Sequence, residues 1–175
     1  GVAVGEAVEW TVSGSQVQLK WPNDLYLDGR KAGGILIESL LDSQNSIVFL
    51  IGIGINICID WTSAPEELKD RATCLSSALH APLTPNELLP PLLNSLSDRL
   101  ERWRIGNDDW RDYWRTRCYL TGHTLAVNAP ANSGSIYTGK TVGRCEGIAH
   151  DGQLLLRTCL GTLVPVSVGE VQVLD

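Results

Sequence analysis

Within the run KWPNDLYLDGRKAGGIL (residues 20–36) lie a side-chain amide (Asn23), a carboxylate (Asp24), an ammonium (Lys31) and a glycine pair (Gly33, Gly34). An Asp-Gly pair between two apolar alternations, here Asp28-Gly29, is the strongest short-range signal for a two-residue β-hairpin turn. With that turn, Leu27 faces Arg30, Tyr26 faces Lys31, Leu25 faces Ala32 and Asp24 faces Gly33. Side chains alternate along a strand, so Asp24, Tyr26, Lys31 and Gly33 share a face. Asp24 and Lys31 then sit diagonally, about 7–8 Å apart at the backbone. A carboxylate and an ammonium beside a bare floor make a seat for an anionic ligand. The lysine supplies a point charge, and the glycines allow close approach. The same spacing also fits an ordinary surface ion pair, which stabilises little.

A second glycine pair closes the apolar run IVFLIGIGINI, where Gly52 and Gly54 precede Asn56. An amide both donates and accepts, which suits an adenine edge or a phosphate. If the two glycine-bearing strands are neighbours, Asn23, Asp24, Lys31 and Asn56 surround one pocket. If not, the glycines relieve crowding where a helix crosses the sheet. Two other patterns imitate nucleotide sites. Residues 134–141, GSIYTGKT, match GxxxxGK[ST] letter for letter. The phosphate-binding mechanism of that loop needs a helix directly after the lysine. Here VGRCEGIAHDGQ follows, and its glycines favour a β-turn reading instead. Gly52-x-Gly54 resembles a dinucleotide fingerprint, but Ile57 stands where the third glycine belongs.

These residues need elements to position them. Residues 2–12 read as helix and 17–20 as a strand stopped by Pro22. Residues 25–27 and 31–41 read as the hairpin strands, and 47–53 as a strand buried on both faces. Residues 65–80 read as one helix, with Pro65 and two glutamates in its first turn. Residues 85–104 read as another, with Leu89, Leu92, Leu93, Leu96, Leu100 and Trp103 as its apolar stripe. A further helix carries Trp110, Tyr113 and Trp114, read as core. Beyond Thr121, short alternating strands separated by glycines suggest a small all-β barrel. The expected fold is α+β: a mixed sheet flanked by helices over 1–120, then a small β-barrel domain over 121–175.

Composition narrows the function. The 175-residue chain is 43% hydrophobic and 19% charged, an ordinary globular balance. A net charge of −6 argues against a nucleic-acid surface. No segment approaches the roughly 20 apolar residues of a membrane span. The five cysteines (58, 74, 118, 145, 159) lack any CxxC spacing. They read as reduced, cytoplasmic and mostly buried. With three scattered histidines, no protein-ligated metal site is expected. The chain has no methionine and opens in what reads as the middle of a helix, so an incomplete N-terminus is expected.

KWPNDLYLDGRKAGGIL, followed by IGIGINI and PEELKDRATCL, closely resembles the core of the biotin protein ligases. The resemblance extends nearly to the end of the chain. It implies a partial class II synthetase-like catalytic core and a C-terminal SH3-like barrel. The implied reaction attaches biotin to a lysine of the biotin carboxyl carrier domain of acetyl-CoA carboxylase or a related carboxylase. It would proceed through Mg-ATP and biotinyl-5′-adenylate, with Mg²⁺ carried by the nucleotide. By that resemblance Lys31 is the catalytic cation; Lys31, Gly34 and Ile35 line the biotin and adenylate pocket; Asn23, Asp24, Gly54 and Asn56 handle ATP. Gly33 stands where the family commonly has alanine, a change expected to be tolerated. The family's Gly-Arg-Gly-Arg loop has no counterpart here, nor does its DNA-binding module. The strand GHTLAVN shows no match to the family's nucleotide-contacting lysine. A homodimer is left open. So are two alternatives: a non-catalytic binding module, and a phosphate-loop NTPase using Lys140.

Overall fold

The computed structural model describes residues 1–12, 14–80, 82–130 and 139–175. The fold is α+β, with two separate sheets. The chain divides into two compact units. The first comprises Gly1–Leu19 and Asn23–Asp108; the second comprises Lys20–Pro22 and Asp109–Asp175.

In the first unit, helix α1 (Val2–Thr11) is followed by strands β1 (Val17–Lys20), β2 (Asp24–Leu27), β3 (Arg30–Leu41) and β4 (Ile47–Ile55). The strands form one sheet in that order. β2–β3 and β3–β4 are antiparallel ladders, and an isolated parallel bridge joins Lys31 to Ala72. The expected mixed sheet is therefore corrected: consecutive strands joined by tight turns pair antiparallel, as hairpin geometry requires. Asp28 and Gly29 both have positive φ (49° and 72°), the conformation a two-residue hairpin turn demands.

The helical segment expected over 65–80 is broken in two. Helix α2 (Glu66–Arg71) and the short α3 (Leu75–Ala78) flank an extended stretch, Ala72–Cys74. Its backbone pairs with β3 and the end of β4 rather than continuing a helix. The Thr73 N–H donates to the Lys31 carbonyl (2.8 Å) and the Leu75 N–H to the Asn56 carbonyl (2.8 Å). Helix α4 (Pro85–Arg104) starts on a capping box: the Thr84 N–H and hydroxyl both donate to Glu87 Oε2, at 2.8 and 2.7 Å. Its apolar stripe needs correcting too. Leu88 and Leu92 are the buried positions, whereas Leu89, Leu93, Leu100 and Trp103 are exposed.

The strand expected to be buried on both faces, 47–53, is instead the exposed edge of the sheet. Phe49 is 62% exposed and Leu50, on the opposite face, 57%. Their β3 neighbours Ile37 and Leu40 are 59% and 54% exposed. An apolar run specifies a strand that would be buried by something. It does not specify that the burial lies within these residues.

The second unit begins with helix α5 (Trp110–Arg117) and continues as strands β5 (Thr124–Ala129), β6 (Gly139–Ile148), β7 (Leu154–Arg157), β8 (Leu163–Val166) and β9 (Glu170–Val173). They form an antiparallel sheet in the order β8-β7-β6-β5-β9. No ladder joins β8 to β9 among the described residues, so the recorded sheet is open. Its core gathers the inward positions of these strands with Trp21, whose indole N–H donates to the Gly152 carbonyl at 3.0 Å. Trp114 packs against this core. Residues 134–138 of the GxxxxGK[ST] match lie outside the described residues. Lys140 and Thr141 open strand β6 rather than a helix, which removes the geometry a phosphate loop requires.

Candidate active site

The hairpin register places the candidate residues. β2 and β3 pair Leu27 with Arg30 and Tyr26 with Lys31, but then Leu25 meets Gly33 and Asp24 meets Gly34. A bulge between Leu25 and Tyr26 leaves Ala32 as the extra residue, fully buried. The simple two-residue register expected from the turn is thus shifted by one beyond Tyr26, as a bulge requires. Asp24 and Lys31 still reach the same face, and Lys31 Nζ lies 2.5 Å from Asp24 Oδ1. The Asp24 side chain is 19% exposed and that of Lys31 is 46% exposed.

The bare floor beside this pair is Gly34, not Gly33. A Cβ at position 34 would lie 3.3 Å from Asp24 Oδ1 and 3.6 Å from Lys31 Nζ. Gly33 has a different task. A Cβ there would come within 2.6 Å of the Gly54 carbonyl oxygen on the adjacent strand. Glycine at 33 thus suits the close spacing of β3 and β4. Gly54 is the register partner of Gly34, so the two glycine-bearing strand segments are neighbours.

The two amides are tied to backbone. Asn23 brackets Ile35: the Ile35 N–H donates to the Asn23 carbonyl (2.9 Å), and Asn23 Nδ2 donates to the Ile35 carbonyl (2.7 Å). Asn56 Nδ2 donates to the Thr73 carbonyl (3.1 Å), while the Asn56 N–H donates to the Ala32 carbonyl (2.8 Å). Both residues fix the strand ends that carry Lys31 and Gly34. A donor role toward adenine for the Asn56 amide would require it to leave Thr73. The structure thus gathers Asp24, Lys31 and Gly34 around one point, with Gly54 paired beside Gly34. Asn23, Ile35 and Asn56 stand around them as backbone clamps.

Sequence reasoning missed Thr73. It is the buried polar residue of the described core, and its amide and carbonyl tie Lys31 and Asn56 to one extended segment. The signal was available: Thr73, which is β-branched, and Cys74 are weak helix formers in the middle of the assumed helix.

Chemically, Lys31 directs one of its three N–H bonds at Asp24, which leaves two for an anion over Gly34. This is a held cation on an open sheet face. A groove of about 720 Å³ also opens between α1 and α4, lined by Trp10, Pro90, Pro91 and Asp98, but none of the candidate residues lines it.

Residues 1–56, which carry this face, match the biotin/lipoate A/B protein ligase family. Over those residues the chain is similar to that family. The bifunctional ligase/repressor BirA of Bacillus subtilis is 32% identical over 158 residues, covering 90% of this chain and 46% of its own. The biotin–[acetyl-CoA-carboxylase] ligase of Mycobacterium tuberculosis is 32% identical over 173 residues, covering 98% of this chain and 59% of its own. The chain thus spans about half the length of these relatives. Among solved structures, the biotin protein ligase of Aquifex aeolicus superposes with a TM-score of 0.81 at 27% identity, over 99% of this chain and 71% of that one. The same Aquifex protein in complex with biotin and ATP gives 0.79 over 99% and 68%. Both units of the present chain therefore have counterparts in a solved member of the family.

Proposed function

We propose that this chain carries the catalytic lysine face of an ATP-dependent biotin ligase. The reaction joins biotin to a lysine of a biotin carboxyl carrier domain, that of acetyl-CoA carboxylase or a related carboxylase. The observation that carries the reading is the ion pair of Lys31 and Asp24 over a glycine floor, in a chain similar to this family over residues 1–56.

The chemistry follows from charge. When a carboxylate attacks the α-phosphate of Mg-ATP, negative charge accumulates on the phosphoryl oxygens. When the carrier lysine attacks the resulting biotinyl-5′-adenylate, charge accumulates at the carbonyl oxygen and the leaving phosphate. A cation held at one place serves both steps, because it needs no reorientation as charge develops. Asp24 holds Lys31 in that place, and Gly34 keeps the approach clear. Ile35 contributes an apolar wall, Asn23 and Asn56 position the strand ends, and Gly54 admits close approach from β4. Mg²⁺ enters as part of the nucleotide. Residues 1–120 serve as part of a class II synthetase-like core and 121–175 as a small SH3-like barrel. The protein acts in the cytoplasm, and a homodimer belongs to the same reading.

The test is Lys31→Ala in the full-length protein, with pyrophosphate release and biotin transfer measured separately. Removing one preorganised charge-stabilising group costs about 10²–10³-fold in rate. Both half-reactions should fall by that order, with Lys31→Arg restoring part of the loss. Unchanged rates in Lys31→Ala would remove this residue from the mechanism.

A further inference from the structure

Connections between strands normally run over the surface and are polar. The one between β1 and β2 does not. Trp21, which follows the last residue of β1, is 5% exposed and belongs to the core of the second unit. That core also holds Leu125, Leu154, Leu156 and Val166, each at most 1% exposed. Residues 20–22 accordingly group with 109–175, although 17–19 and 23–27 on either side belong to the first unit.

A buried indole N–H needs an acceptor, and Trp21 Nε1 donates to the Gly152 carbonyl at 3.0 Å. The acceptor is itself held. The β6–β7 turn closes on two backbone bonds, Ala149 N–H to the Gln153 carbonyl (2.8 Å) and Gly152 N–H to the Ala149 carbonyl (3.0 Å). Gln153 Nε2 donates to Asp151 Oδ2 at 2.7 Å, and Arg111 Nε on α5 donates to the His150 carbonyl at 2.9 Å. The indole thus ends on a braced turn. Two residues after Trp21 the lysine face begins. Asn23 bonds Ile35 through its backbone carbonyl and its side chain, Asp24 pairs with Gly34, and Asp24 Oδ1 holds Lys31 Nζ. Between the two anchors stands Pro22, whose ring fixes its φ. Two residues of chain span at most about 7 Å, so a shift at Trp21 has little slack in which to fade before Asn23.

We propose that Trp21, granted the function proposed above for Lys31, is a positioning residue for the ligation that acts through Asp24 on Lys31. The core of the second unit fixes the indole, the indole fixes the start of β2, and β2 sets where the carboxylate holds the lysine. Misplacing a reacting group by about 1 Å costs about 10²-fold in rate. Trp21→Phe keeps an aromatic ring in the core and removes the N–H that reaches Gly152. A side chain that only filled the core would show its loss in stability, whereas a positioning one shows it in turnover.

The experiment measures pyrophosphate release and biotin transfer in the full-length protein, with Trp21→Phe, Lys31→Ala and the two combined. All are assayed well below their unfolding midpoints, so lost folding does not enter the rates. Trp21→Phe should lower kcat about tenfold in both half-reactions and leave the KM for biotin unchanged. In the Lys31→Ala background the same substitution should change the rate by less than about twofold, because the group it positions is gone. Val166→Ala, on β8 in the same core, should lower the thermal midpoint and leave kcat unchanged. An unchanged kcat in Trp21→Phe, an equal fall in the Lys31→Ala background, or a matching fall in Val166→Ala would overturn the positioning role and leave the Lys31 reading standing. Full rates in Lys31→Ala would overturn that reading and the positioning role with it.

Discussion

At the scale of single residues, the two adjacent glycines of the hairpin separate what packs from what leaves room. Gly33→Ala sets a methyl group 2.6 Å from the Gly54 carbonyl oxygen, a backbone atom that moves only if β4 moves. Overpacking of this kind costs about 1–3 kcal/mol. The expected outcome is a lower denaturation midpoint with little direct effect on ligand chemistry. Gly34→Ala puts its methyl 3.3 Å from Asp24 Oδ1, against a side chain that can shift. It should cost less stability than Gly33→Ala, because a side chain rather than a strand backbone has to give, yet lower the ligation rate by displacing the Asp24–Lys31 pair. Urea denaturation and rate measurements on both variants check the contrast; equal stability losses would contradict it. The sequence made the turn legible through Asp28-Gly29, and with it the shared face of Asp24 and Lys31. It left the bulge at Ala32 unread, because turn chemistry fixes only the first pairs of a ladder. Which glycine is the floor depends on that bulge.

Elements show the same division between local signals and tertiary ones. The start of α4 was legible because Thr84, Pro85 and Glu87 spell a capping box. Its buried stripe was not, because Leu88 and Leu89 both fit helical spacing and only a partner selects between them. The polar side of that helix also holds a partner. Arg99 and Ser95 on α4 both bind the Glu6 carboxylate on α1, with Arg99 Nε at 2.8 Å and Ser95 Oγ at 2.9 Å. Burial alone would raise the Glu6 carboxyl, but the Arg99 and Ser95 hydrogen bonds outweigh it and hold it below its ordinary value. A carboxyl with a lowered folded pKa contributes stability above its unfolded value. That contribution is lost as pH falls through the folded value. Denaturation of the unmutated protein should therefore show stability falling as pH drops below about 4.3, the unperturbed glutamate value. Glu6→Gln should lose about 1–2 kcal/mol at pH 7, with part of the interaction screened by solvent, and should flatten this acid limb. An unchanged acid limb in Glu6→Gln would show that other carboxylates set it.

On the scale of the whole molecule, the apolar ribbon of β3 and β4 decides behaviour in solution. Ile37 and Phe49 stand exposed on one face of it, with Leu40 and Leu50 on the other. β4 is the end strand of its sheet, so its outer backbone groups have no strand beside them among the described residues. Long, flat, apolar edge strands template pairing with further strands, and proteins usually blunt them with charge or a bulge. The described part of β4 carries neither: Ile47–Ile55 contains no charged residue. This also explains why a continuous apolar run misled the reading of burial. Periodicity and composition report that a surface wants covering, and the nine residues from Ile47 to Ile55 carry that message without naming the cover. The 175-residue chain should therefore self-associate with rising concentration and bind a hydrophobic dye such as anilinonaphthalene sulfonate. A lysine on the edge strand opposes such pairing at low thermodynamic cost, because position 49 is already 62% exposed. Phe49→Lys should shift sedimentation toward the monomer and reduce dye fluorescence, leaving the far-ultraviolet circular dichroism spectrum unchanged. A chain that stays monomeric at high concentration without the lysine would mean that the ribbon is shielded in solution, and that its exposed apolar faces do not govern association.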